Sequence, residues 1–311
     1  MENSSKLHVT WFKLTAYSDM GNMSPFYFTL LILMYFLVIT FNGLTIGLVI
    51  FNRSLHEPMY FLLCSLLVNE LYGSTGLFPW LIHNMLLDVH HISRFHCILQ
   101  IFCVHTYASI EFTNLAVMAY DRYVSICYPL RYIEIMSPMH VYLLIAFIWI
   151  YSFGKFSVVL SMTLKLSLCG NVIAKVYCDN YSLVKLACED TTLNNIYGSF
   201  TMVLTVGLPL ILIIYSYAKI LNICYGSSKQ SQQKALKTCI PHLMSLLNFT
   251  VGCLFEVAQN RFNMQHVPLI LRIFLSVYFL IVCPILNPII FGVKTAKIKE
   301  SFRRFCIKLW P

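Results

Sequence analysis

MGNMSPFYFTLLILMYFLVITFNGLTIGLVIFN, residues 20–52, contains no Asp, Glu, Lys or Arg. A helix rises 1.5 Å per residue, so about twenty such residues cross the hydrocarbon core of a bilayer. The run is continuous, whereas a barrel strand needs segments of about ten residues alternating in polarity. Six further stretches repeat the pattern. Residues 58–87 are interrupted only by Glu70, 95–120 only by Glu111 and 135–164 only by Lys155, while 191–218, 238–255 and 273–293 carry no charge. The spacing predicts spans near 25–51, 58–80, 97–125, 140–163, 196–221, 236–258 and 268–292. The fold class is an all-α membrane protein, a seven-helix transmembrane bundle. Composition agrees: 58% of the 311 residues are apolar and 11% charged, against about 25% charged in a typical soluble domain. Mean hydropathy is +0.71. A soluble globular, disordered or fibrous chain is excluded.

The net charge of +9 reads as topology. With seven spans the two ends lie on opposite sides of the membrane. Thirteen Lys and Arg fall on the side of the C-terminus and eight on the other, and the richer side faces the cytosol. The expected organisation is an extracellular N-terminus over 1–24, a bundle over 25–292 and a cytoplasmic tail over 293–311, in the plasma membrane. No nucleic-acid partner is needed to explain the surplus. The first 24 residues carry Glu2, Lys6, Lys13 and Asp19 and lack the short apolar core of a cleaved signal peptide. Asn3 and Asn22 open glycosylation sequons on the outer side, and Asn180-Tyr181-Ser182 is a third. In the tail, Ile298, Phe302, Phe305 and Leu309 recur at helical spacing among basic residues. This predicts an amphipathic helix on anionic membrane lipid, where Cys306 is a candidate for acylation. Of twelve cysteines, Cys97, Cys169, Cys178 and Cys188 lie outside, where disulfides persist; four cysteines allow three pairings.

Glu70 and Glu111 are intramembrane acids, which are functional candidates by default. Glu111 precedes Arg122 by eleven residues, nearly three helical turns, so the two share one inward face. With Asn42 and Asn287 nearby, Glu70 and Glu111 are expected to form a polar core that shares a proton or holds a cation, because two buried carboxylates seldom both stay ionised.

Four ordered motifs carry a resemblance. They are Leu55-His56-Glu57-Pro58-Met59-Tyr60-Phe61-Leu62 after span one, and Met118-Ala119-Tyr120-Asp121-Arg122-Tyr123-Val124-Ser125-Ile126-Cys127-Tyr128-Pro129 ending span three. Lys234-Ala235-Leu236-Lys237-Thr238-Cys239-Ile240-Pro241-His242-Leu243 opens span six, and Pro284-Ile285-Leu286-Asn287-Pro288-Ile289-Ile290-Phe291 lies in span seven. The chain resembles an odorant receptor of the rhodopsin-like, G-protein-coupled class from about residue 25 to 300. Asn69-Glu70-Leu71-Tyr72-Gly73 resembles the fish-type branch.

The resemblance implies a small-molecule odorant outside and a heterotrimeric stimulatory G protein inside. It implies that Asp121 holds Arg122 at rest, that Tyr123, Tyr217, Asn287 and Pro288 take part in activation, and that Cys97 pairs with Cys178 and Cys169 with Cys188. It places ligand contacts at Val104, His105, Ala108 and Ser109 on span three, Cys253, Glu256 and Val257 on span six, and Val277 and Leu280 on span seven. Where the family usually has Tyr, span seven has Phe291, and where it usually has Asp, span two has Glu70.

Other functions find little footing. His56-Glu57 lacks the second His of a zinc protease, and no phosphate- or dinucleotide-binding glycine pattern occurs. The chain is not expected to be an enzyme or to carry a cofactor. Span seven has no lysine for retinal. The membrane-buried charges Glu70, Glu111, Lys155 and Glu256 would suit a transporter, but the inverted repeat of that class is missing.

Overall fold

The structure, a computed structural model, describes residues 9–17, 24–226, 228–261, 267 and 269–309. Strand β1 (Trp11–Leu14) leads through a 3-10 turn toward α1 (Ser24–Phe51) and α2 (Pro58–Met85). Strand β2 (His91–Ser93) then precedes α3 (Arg94–Cys127), the short α4 (Tyr132–Ile135) and α5 (Pro138–Leu164). After β3 (Val172–Ile173) and the five-residue α6 (Asn180–Val184) comes one long rod made of α7 (Thr192–Met202), a π turn (Val203–Gly207) and α8 (Leu208–Tyr225). The chain ends with α9 (Lys229–Arg261), α10 (Leu269–Lys294) and α11 (Ala296–Leu309).

Local chemistry sets several starts. Ser93 caps α3, its hydroxyl accepting from the His96 amide at 3.3 Å. Pro58 and Pro138 stand at the first position of α2 and α5, where a missing N–H costs nothing. Among the described residues, six helices are long and apolar enough to cross a bilayer: α1, α2, α5, α7–α8, and most of α9 and α10. The seventh crossing is α3. It fails that test of composition because it stands inside the ring, packed against α2, α5, α8 and α9. More than half of its 34 residues are buried, among them Gln100, Glu111, Asn114 and Asp121. A helix shielded from lipid can carry polar groups that an outer helix cannot. The outer helices show the converse, with Phe36, Phe147, Ile150 and Ile211 all exposed.

Two devices bind the ring. Gly73 and Gly76 let α2 approach α3 closely: a Cβ on Gly73 would stand 2.4 Å from the Tyr107 ring, and one on Gly76 2.6 Å from Cys103. In α10, Pro288 cannot donate to the Pro284 carbonyl four residues earlier. Asn42 of α1 fills the gap, its Nδ2 donating to that oxygen at 2.8 Å.

One end of the bundle is roofed. β1 lies between β2, antiparallel, and β3, parallel. Phe12 and Leu14 point into the core and Trp11 outward, and the Tyr17 hydroxyl donates to the Val176 carbonyl at 2.7 Å. Disulfides Cys97–Cys178 and Cys169–Cys188 pin the loop after α5 to the top of α3 and to itself. At the other end α11 turns back under α1 and α2. Asn52 donates to Ser301 at 2.7 Å, and Lys297 pairs with Glu57.

Candidate ligand cavity and signalling core

Beneath the roof lies a cavity of about 230 Å³ between α3, α5, α6, α7 with its π turn, α9 and α10. Seven of the nine sequence-expected contacts border it: Val104, His105, Ala108, Ser109, Cys253, Glu256 and Val257. Val277 and Leu280 do not; both are buried in the core packing, and α10 presents Phe279 instead. Span five, which the resemblance places among the ligand-site helices without naming residues, lines the cavity with Asn194, Gly198 and Thr201 of α7 and Thr205 of the π turn, at intervals of three and four. That spacing is the helical signal that was available.

The His105 Nδ1 meets the Ile101 carbonyl at 3.0 Å. A carbonyl only accepts, so Nδ1 carries the proton and Nε2 is the nitrogen left for a ligand. The ring stacks on Phe156 with centroids 4.6 Å apart. Above it, Lys175 of the roof pairs with Asp179 at 2.9 Å and with Glu256 of α9. Burial alone would raise the Asp179 carboxyl, but Lys175 and bonds from Ser182 outweigh it and hold the group below the usual carboxylate range. Burial likewise opposes the charged Lys175, and Asp179 and Glu256 overcome it, so that its ammonium titrates above the ordinary lysine value. Asn180 turns inward, bordering the cavity and accepting from Thr163 at 2.9 Å. Asn3 and Asn22 lie outside the described residues.

Below the cavity, Asn287 bridges the two membrane acids. Its Nδ2 donates to Glu70 and, at 3.1 Å, to Glu111. Asn69 donates to the other Glu111 oxygen at 2.9 Å, and the Tyr107 hydroxyl lies 3.4 Å from Glu70 and donates to the Phe279 carbonyl at 3.1 Å. The network thus joins α2, α3 and α10. Asn42 makes no bond to either carboxyl and serves the Pro284 carbonyl instead. Among the described residues no group of three or more His, Cys, Asp and Glu is placed to hold a metal ion.

At the far end of α3, Arg122 donates to Asp121 through Nε, at 3.0 Å, and through Nη2. The Tyr132 hydroxyl donates to the second Asp121 oxygen at 2.8 Å. Tyr217 of α8 meets His242 Nδ1 at 2.7 Å, and His242 Nε2 meets the Leu115 carbonyl of α3 at 2.7 Å. The carbonyl fixes Nε2 as donor, so Nδ1 accepts from Tyr217. His242, within the Lys234–Leu243 motif, ties α3, α8 and α9 together. Tyr123 faces outward to Tyr128. Phe291 is buried against the apolar packing around Leu63 and Leu66, an environment with no use for a phenol oxygen.

Cys97, under the roof, and Arg122 are separated by about 37 Å of one helix. A rod joining a covered cavity to a caged arginine is suited to carrying a conformational signal, which defines a seven-helix membrane receptor. Residues 31–308 match the olfactory receptor family. The human olfactory receptor 52D1 is 35% identical over 86% of this chain and 85% of its own length. The human olfactory receptor 51I1 is 34% identical over 88% and 87%, and the mouse olfactory receptor 4B13 is 34% identical over 89% of each. The chain belongs to the olfactory receptor family: it is an odorant-sensing, G-protein-coupled membrane receptor and not an enzyme.

Proposed function

We propose that this receptor sits in the plasma membrane with its N-terminus outside and its C-terminus in the cytosol. It binds a small odorant in the roofed cavity and activates a stimulatory-class G protein at the opposite end. The basic surplus on the C-terminal side supports the orientation, and amphipathic α11 is suited to lie on inner-leaflet lipid. The observation that carries the reading is the span of α3 from the cavity wall at Val104, His105, Ala108 and Ser109 to the Asp121–Arg122 pair. An agonist that binds the active bundle better than the resting one shifts the population toward it. Arg122 then leaves Asp121, and the Tyr217–His242–Leu115 tie re-forms around the moved helices. Glu70 and Glu111, bridged by Asn287, share one proton, since neighbouring carboxylates seldom both ionise. A site for a monovalent cation at Glu70 and Glu111 is the second reading, favoured by the Asn69 and Asn287 side-chain oxygens that lack partners there.

The test is cyclic AMP in cells expressing the receptor, screened with amino acids, bile salts, short acids and volatile apolar odorants. An active compound is expected to lose its effect in Arg122→Ala at equal surface amount. A response that survives Arg122→Ala, or solute flux without G protein, would sink the reading.

A further inference from the structure

Among the described residues, the cavity wall holds one charge without a counter-charge. Lys155 of α5 places its Nζ 2.7 Å from the Thr205 hydroxyl. Thr205 gives its own proton to the Thr201 carbonyl at 2.8 Å, so it can only accept from Lys155. The ammonium also stands 4.8 Å from the centre of the Tyr151 ring, a contact that favours a cation. One of its three hydrogens is thereby used. The two acids of the cavity wall, Asp179 and Glu256, both meet Lys175. Among the described residues no carboxylate lies within ion-pair distance of Lys155. Half-buried cations inside a membrane protein normally have a partner. The π turn at Val203–Gly207 sets Thr205 opposite α5, and such turns recur at functional sites. The cavity that Lys155 lines also has apolar wall, supplied by Ala108, Phe112, Phe156, Val159 and Val206.

We propose that Lys155 and Thr205 form a head-group subsite for an organic monoanion, a carboxylate or sulfonate on a short apolar body. The anion completes the ion pair that the protein leaves open, and the apolar wall takes the body. This assignment rests on the roofed cavity being the ligand site.

The test is thermal unfolding of the full-length receptor, purified in lipid nanodiscs at pH 7, with hexanoate, hexan-1-ol or hexylamine. Hexanoate is expected to raise Tm in a saturable way, and the alcohol and the amine to raise it less. Lys155→Met is expected to weaken hexanoate at least about tenfold, or about 1.4 kcal/mol. Lys155→Arg, which keeps the charge, is expected to stay within a few-fold of wild type and so controls for misfolding. No shift with hexanoate, an equal or larger shift with hexan-1-ol or hexylamine, or unchanged hexanoate affinity in Lys155→Met would overturn the proposal. The measurement contains no G protein. Its failure is therefore separate from failure of the receptor reading, which is read from signalling and Arg122→Ala.

Discussion

Single side chains in this bundle close gaps left by others. Pro288 strips the Pro284 carbonyl of its helical donor, and Asn42 restores one from a different helix. Asn42→Leu is expected to cost about 1–3 kcal/mol, the penalty for a buried acceptor left unpaired. Tm of the purified receptor should fall by several degrees, and adding Pro288→Ala, which supplies the helical N–H that proline lacks, should recover part of the loss. Additive effects of the two substitutions would contradict the assignment. The Lys175 cluster gives a pH dependence. Asp179 titrates below its ordinary value in the folded state, so its contribution is complete above the unfolded carboxylate pKa of about 3.9 and disappears as pH falls through the lower folded value. Lys175 titrates above its ordinary value, so its contribution is complete below about pH 10 and disappears as pH rises through the higher one. The stability difference between wild type and Lys175→Met should therefore be smaller below about pH 4 than near neutrality. A difference that grows on acidification would refute it.

Between elements, close approach matters as much as polarity. The Tyr107 ring fills the space above Gly73 and is held there by the Phe279 carbonyl. Gly73→Ala is expected to push α2 from α3 at about 1–3 kcal/mol, read as reduced Tm and surface expression; full stability would show that the ring can yield. The helices were legible from sequence because long uncharged runs leave few alternatives. α3 was legible as one run, 95–120, broken only by Glu111. The roof was not: β1 has four residues and β3 two, too short for period two to rise above chance, and their pairing depends on contacts distant in sequence.

In the whole molecule, cavity and arginine are two ends of one buried helix. The cavity residues on α3 and α9 were named in advance only because the family resemblance carries those positions over. On α10 the positions carried over, Val277 and Leu280, turned out to be core, because the rotation of a helix about its axis is set by its neighbours. His242 gains meaning only from partners on other helices, Tyr217 and Leu115, whereas Lys155 stood out in the sequence as a charge inside the membrane and the fold adds its partner Thr205. The most direct test of the account is agonist-driven nucleotide exchange on a purified stimulatory G protein by the reconstituted receptor. Wild type and Ala108→Trp, which fills the cavity, would be compared across agonist concentrations. The account predicts exchange that rises with agonist in wild type and needs at least about tenfold more agonist in Ala108→Trp; an identical concentration dependence in the two proteins would contradict it.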